Sequence, residues 1–440
     1  MRFTGSRHLR RLPLLSPLQW KRRLVLWCGG VLVALVAIGF AHAADAAQAL
    51  FAVVTAWNPW IVFGLAPGGL ALSLWLTRRV FPGAQGSGIP QAIAALHMTD
   101  PKAVDAVLSL RVALGKVVLT VLGLGVGASI GREGPTVQVG AAIMNAVGRI
   151  TPMPRLEMQR ALVLAGGAAG VAAAFNTPLA GIVFAIEELS HSFEQRTSGV
   201  VLTAVILAGI TTVALSGNYT YFGHSAVVLD VGRDWLAVLP CAVVGGLAGG
   251  LFSQVLISAS RGLPGRIGRW VARHPLLVAV LCGVVLAGLG VLSGGATYGT
   301  GYAQARGLVE GHADLPAGFA VMKLLATVVS YLSGIPGGIF APSLAVGAGL
   351  GSWLHAVLPG FPPGALVLLG MVAYFSGVVQ APITATVIVM EMTDNQQMTI
   401  PLLATAMLAF GVSRLVCRRS FYSALARRFL DAVERPRPAD

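Results

Sequence analysis

Three short stretches combine glycine and proline where the surrounding sequence is apolar: Gly86-Ser-Gly-Ile-Pro90, Gly131-Arg-Glu-Gly-Pro135 and Gly338-Ile-Phe-Ala-Pro342. Each reads as the start of an apolar helix, because proline fits the first turn, where its missing N–H would be unpaired anyway. A helix start exposes free N–H groups and the positive end of the backbone dipole, so it can hold an anion with partial charges alone. No full positive charge is needed, and the anion is not trapped. Glu133, between Gly131 and Gly134 in the second stretch, adds proton chemistry. An acid in so apolar a setting is costly unless it neutralises or pairs, which makes it a functional candidate. As a carboxylate it can occupy an anion site itself; once protonated it must leave, so one side chain can couple a proton to an anion. A salt bridge to Arg132 is the bland alternative, disfavoured because neighbours at a helix start point apart.

The elements that would position these groups are membrane spans. The chain of 440 residues is 55% hydrophobic and 11% charged, with mean hydropathy +0.77. Soluble domains carry about 25% charged residues, so a soluble protein with a large core is excluded. Runs of about 18 or more apolar residues recur throughout. The 55 glycines suit membrane helices that approach closely. The net charge of +14 does not indicate nucleic-acid binding, since the basic residues sit at the ends and between apolar segments without a recognition motif. Cys28, Cys241, Cys282 and Cys417 stand apart, with no metal or disulfide spacing.

The expected spans cover 24–44 and 50–76, then roughly 103–128, 136–150, 160–189, 199–216, 235–258, 275–294, 317–333, 343–358, 364–392 and 398–416. The segment 24–44 is too long for a cleavable signal core. Arginines crowd the N-terminal arm, positions 78–79, the 259–274 loop and the tail, which places those parts in the cytoplasm. Residues 217–234 carry one Arg and two Asp and read as an external loop. Both termini are then inside a multi-pass protein of the cell's inner (plasma) membrane.

The two halves match. Lys116 precedes Pro135 as Lys323 precedes Pro342, and Gly140 follows the first proline as Gly347 follows the second. Asn176-Thr-Pro178 leads to Glu187 as Gln380-Ala-Pro382 leads to Glu391. These matches in order indicate an internal duplication. With the link outside and both ends inside, each half crosses an odd number of times, so the repeats are inverted. The fold class is therefore an all-α integral membrane protein of two inverted-topology repeats, built from transmembrane helices and broken half-helices. The expected division is a basic segment 1–23, a first repeat 24–217, an external linker 218–234, a second repeat 235–416, and a cytoplasmic helix and tail 417–440. The Gly/Pro interruptions near 131–135 and 334–342 would line a site at the midplane.

Taken together, the three motifs, in this order and with Tyr422 near the end, resemble the CLC family of chloride channels and chloride/proton antiporters, over about 20–430. The resemblance implies chloride held between Ser87, Gly88, the amides of Ile339 and Phe340, and Tyr422. A helix cap for Ser87 and an interfacial anchor for Tyr422 are the bland readings. It also implies that Glu133 gates the pathway, and that Glu188 receives protons from the cytoplasm, a feature of antiporters rather than channels. Glu187 beside it reads as an ordinary acid at a helix end. Lys116 and Arg132 would set the electrostatics of the anion pathway, whereas Lys323 is expected to snorkel to the surface.

The implied function is exchange of chloride for protons, with a passive voltage- or pH-gated chloride channel of the same fold as the alternative. Other small anions such as bromide or nitrate would be carried, no cofactor or metal is expected, and a homodimer in the lipid bilayer is implied, joined through the helices holding Glu187 and Glu391. An enzyme is not indicated, since there is no HExxH, no metal-ligand histidine spacing and no nucleophile elbow. A fluoride exporter of the same fold is disfavoured because those relatives change the Ser87 and Tyr422 positions. Two departures from the pattern stand out. Gln91 replaces an acid common in relatives, and the nucleotide-binding CBS pair of larger relatives is not expected after Tyr422.

Overall fold

The structure, a computed structural model, describes residues 17–150, 155–190, 195–230, 232–313 and 315–434. Much of the basic N-terminal arm and the last residues of the tail lie outside them. Among the described residues the chain is helical, with two isolated backbone bridges and no strand. Eight stretches of the described residues are long and apolar enough to cross a membrane, and three shorter apolar helices accompany them. The chain is a multi-pass membrane protein.

Helix α1 (Pro17–Trp57) runs without a break where two spans were expected. The intervening 44–50 stretch is rich in alanine, the strongest helix former. Its polar residues, Asp45 and Gln48, find partners elsewhere in the protein and so do not end the helix. The turn comes at Asn58, whose side chain caps Trp60 N at 3.0 Å ahead of Pro59. Helix α2 (Val62–Arg79) follows, then the short α3 (Ile89–His97) and α4 (Pro101–Val107), then α5 (Leu110–Gly125), begun by a Ser109 cap on Val112 N. Helix α6 (Glu133–Gly148) packs on α7 (Arg155–Phe175). Gly140 and Gly166 permit that contact, since a Cβ on Gly140 would lie 2.2 Å from the Gly166 carbonyl.

The expected segment 160–189 is split at Asn176, and 364–392 at Gln380. Both residues adopt left-handed backbone, φ 56° and 58°, immediately before the Thr-Pro and Ala-Pro pairs. The helices after the breaks are α8 (Pro178–Phe184), which continues as a π-helical turn (Ala185–Ser190), and α9 (Gln195–Ser216). The second half holds α10 (Val238–Ser260), α11 (Gly265–Arg273), α12 (Pro275–Leu292), α13 (Tyr302–Val309), α14 (Phe319–Leu332), α15 (Phe340–Val357), α16 (Pro363–Val379), α17 (Pro382–Thr393), α18 (Thr399–Val416) and α19 (Phe421–Glu434). The 259–274 loop thus contains a helix. Its exposed Ile267 and Trp270 accompany Arg266, Arg269 and Arg273, the composition of a helix that lies along a membrane surface.

The inverted repeats meet through two reciprocal caps. The Glu187 carboxylate accepts from Ile383 N (3.1 Å) and Thr384 N (2.6 Å) at the start of α17. The Glu391 carboxylate accepts from Leu179 N (3.2 Å) and Ala180 N (2.7 Å) at the start of α8. The Glu391 end lies on the face of the protein that carries 217–225, where Phe222 N bonds Met392 O. We call this the linker face. The Glu187 end lies on the opposite, tail face, where Gln380 bonds Cys417 O at 2.6 Å.

Candidate functional site

The three Gly/Pro motifs meet in the interior. Gly131 and Gly338 exchange backbone hydrogen bonds of 2.7 and 2.8 Å, and Gly337 N bonds Gly86 O at 3.2 Å. The starts of α3, α6 and α15 therefore converge on one buried point, and their free N–H groups face one another's loops. Gly134 lets them come so close, since a Cβ there would lie 2.3 Å from Ser87 Oγ.

Ser87 is buried, and its loop is fixed by Gly88 at φ 102° and by Lys116. Lys116 is wholly buried, with Nζ donating to Gln85 O (3.1 Å) and Gly86 O (2.9 Å). Gln91 donates to Gln85 O at 2.7 Å and ties the same loop. Tyr422, at the start of α19, is buried with its ring 6.0 Å from that of Phe340, which also packs on Phe175, Phe184 and Phe375. Its hydroxyl faces that of Ser87. Neither the Ser87 nor the Tyr422 hydroxyl completes a hydrogen bond of ordinary geometry, although both are buried. Other buried hydroxyls, such as those of Ser73 and Tyr374, are unpaired too, but these two face each other at converging helix starts and form a ready set of donors for an anion.

Glu133 is buried, and its Oε2 lies beside Gly131, near Ala341 and Pro342 in the first turn of α15. The acid thus lies at a helix start, where an anion would bind. Its Oε1 accepts from the Tyr302 hydroxyl, while Oε2 has no full partner. Arg132 does not pair with it. The guanidinium bonds Ala41 O and Asp45, each at 2.7 Å, together with the Tyr221 hydroxyl. Glu188 is buried in the π-helical turn, with Ser420 Oγ at 3.5 Å. Such turns recur at functional sites. Ser420 is two residues before Tyr422, so its contact brings Glu188 to the start of α19.

The sequence-derived set of Ser87, Gly88, Ile339, Phe340, Tyr422 and Glu133 is thus brought together, with Glu188 held to the α19 start by Ser420 and Lys116 behind the Ser87 loop. Lys323 corrects an expectation. It does not snorkel but is wholly buried, its Nζ bonding Thr297 O (2.9 Å) and Gly299 O (2.7 Å). An ammonium this deep needs carbonyl partners, and the 293–301 loop supplies them. Sequence reading also missed Tyr302, Tyr221 and Asp45, the groups that hold Glu133 and Arg132. On the linker face a cavity of about 1140 Å³ lies between α1, α12 and the 293–301 loop, and its lining includes Asp45, Gln48, Tyr298, Thr300 and Tyr302.

This architecture, with inverted repeats meeting at half-helix starts and an acid at their junction, is that of a membrane transport protein. Residues 68–414 match the family model described as voltage gated chloride channel. The chain belongs to the CLC family, whose members are channels and transporters rather than enzymes. It is 32% identical to the H(+)/Cl(−) exchange transporter ClcA of Cronobacter sakazakii over 404 residues, 87% of this chain and 83% of the relative. It is likewise 32% identical to the transporter of the same name from Yersinia pestis over 385 residues, 83% of this chain and 77% of the relative. Among solved structures, a slow cyanobacterial Cl−/H+ antiporter aligns with a TM-score of 0.78 at 26% identity, covering 94% of this chain and 98% of that one. A CLC-type fluoride/proton antiporter aligns with a TM-score of 0.77 at 25% identity, covering 91% and 98%.

Proposed function

We propose that this protein exchanges chloride for protons, with Glu133 as the coupling group. The observation that carries the reading is the seat of Glu133: a buried carboxylate at the α15 start, beside two unpaired hydroxyls suited to an anion. A carboxylate in that seat excludes an anion; a neutral acid does not hold it, and an anion can enter. Chloride is then bound by Ser87, Tyr422, the Gly88 loop and the Ile339 and Phe340 amides. Glu188 feeds protons inward toward Glu133. Relatives named as chloride/proton exchangers and a chloride/proton antiporter of the same fold support this choice over a passive channel. The relatives that move fluoride are less apt, because this chain keeps the Ser87 and Tyr422 hydroxyls. Bromide and nitrate would follow chloride through the same donors.

In this reading the linker 218–234 separates the repeats 24–217 and 235–416 outside the cell, and both ends of the chain lie in the cytoplasm of an inner (plasma) membrane protein. The positive residues of 259–274 and of the tail set this orientation. The protein acts as a homodimer, with the apolar surface of α8, α9, α17 and α18, including Leu179, Ile210, Ile383 and Ile400, as the contact.

Glu133→Gln tests the coupling role in liposomes. An amide imitates the neutral acid and cannot titrate, so proton flux should vanish while chloride flux continues. Persisting proton flux in that variant refutes the role.

A further inference from the structure

The device that presents Ser87 occurs a second time. Gly86-Ser-Gly-Ile89 leads into α3 with its two glycines at φ 67° and 102°. Gly299-Thr-Gly-Tyr302 leads into α13 with its two glycines at φ 65° and 85°. Each loop is gripped by one of the repeat-mated lysines, Lys116 through Gln85 and Gly86 carbonyls, Lys323 through Thr297 and Gly299 carbonyls. Since the repeats are inverted, the first loop reaches the centre from the tail face and the second from the linker face.

The two loops present different groups. Ser87 keeps its hydroxyl unpaired, whereas Thr300 spends both N–H and Oγ1 on Gln48 Oε1, at 3.0 and 3.2 Å. That contact pins the loop to α1. What the second loop offers instead is the next residue but one, Tyr302, whose hydroxyl donates to Glu133 Oε1. Its ring is fixed on several sides: Tyr221 lies 4.9 Å away, Phe222 5.6 Å, and the Arg132 guanidinium 5.8 Å over the ring. Gly301 brings the loop directly onto α15 and Lys323, since a Cβ would meet Ala345 Cβ at 2.6 Å and Lys323 Cε at 2.9 Å. Tyr302 also lines the linker-face cavity, so its ring stands between that cavity and Glu133.

We propose that Tyr302 is a positioning residue for Glu133, a latch that holds the carboxylate in its seat at the α15 start from the linker side. The inference rests on the coupling role given to Glu133 above. A hydrogen bond to an ionised acceptor is roughly twice as strong as one between neutral groups. The latch therefore grips the ionised gate and loosens when the gate takes a proton, so that chloride replaces a protonated gate more readily than a charged one. Lys323 serves the latch by holding the loop that carries it.

Tyr302→Phe keeps the ring and removes the donor. With purified protein in liposomes and both fluxes recorded, the variant should raise chloride turnover by about tenfold, the size expected for one lost hydrogen bond to a charged group. The chloride moved per proton should rise with it. In a Glu133→Ala background, where no acceptor is left for the Tyr302 hydroxyl to hold, the same substitution should leave chloride flux unchanged. Equal changes in both backgrounds, or none in either, would overturn the latch. Should Tyr302→Phe fail to fold, Gln48→Leu, which frees the Thr300 end of the loop, supplies the same comparison. Proton flux that survives Glu133→Gln would count against the exchange reading, while the chloride comparison alone judges the latch.

Discussion

Two neighbouring glutamates are expected to separate stability from coupling. Glu187 accepts two N–H groups at the start of α17, one of them at 2.6 Å. Those donors follow Pro382 in the first turn, where the helix itself has no acceptor for them. A side-chain cap is worth about 0.5–2 kcal/mol, and a negative charge at a helix start adds about 0.3–1 kcal/mol. Glu187→Ala should therefore cost about 2 kcal/mol, a drop of about thirtyfold in the folded-to-unfolded ratio. Glu187→Gln keeps one acceptor and should cost about half as much. Glu391→Ala should match Glu187→Ala, because its carboxylate does the same for α8. Glu188→Ala empties a buried site but caps no helix start, giving up a long 3.5 Å contact with Ser420, and should cost less stability than Glu187→Ala while abolishing proton flux. Unfolding of the purified protein in mixed micelles, titrated with a denaturing detergent, reads the first effect; paired flux recordings in liposomes read the second. The reasoning fails if Glu187→Ala is no less stable than an exposed substitution, or if it abolishes coupling while Glu188→Ala preserves it.

Other expectations follow from the same geometry. Ser87→Pro removes a donor from the anion site and should shift preference from chloride toward nitrate; unchanged relative fluxes would remove Ser87 from the ligands. Gly140→Ala places a methyl 2.2 Å from a backbone carbonyl of α7, so the helices must part, and a loss of about 1–3 kcal/mol in the same unfolding assay is expected. Cysteines placed at Ile383 or Leu179 should crosslink two copies in mild detergent; a protein that stays monomeric by light scattering contradicts the dimer.

The helix starts were legible because glycine, proline and charge stand out against an apolar background, and the repeat because Lys, Pro, Gly and Glu recur at fixed spacings. Function was less evenly visible. Glu187 and Glu391 marked the repeat, yet their task as caps for each other's partner helix depends on a fold that brings 187 beside 383, nearly two hundred residues on. Lys323 seemed free to reach the surface because nothing in its own helix shows that the 293–301 loop folds back over it. The second G-x-G loop escaped notice for a different reason. Lys116 stands 30 residues after its bonded Gly86, but Lys323 only 24 after Gly299, so matching at a constant spacing misses the pair. The unbroken α1 shows propensity winning over polarity: Asp45 and Gln48 look like a break until Arg132 and Thr300 take them up.

The central claim is that one pathway carries both ions, and the most direct measurement is proton movement driven by chloride. Vesicles containing the purified protein, loaded with chloride and placed in low-chloride buffer at equal pH, should take up protons as chloride leaves. That uptake should continue against an opposing proton gradient. Glu188→Gln vesicles should release chloride with no proton uptake. Wild-type vesicles that release chloride while the internal pH stays constant would contradict exchange and make the protein a passive chloride channel.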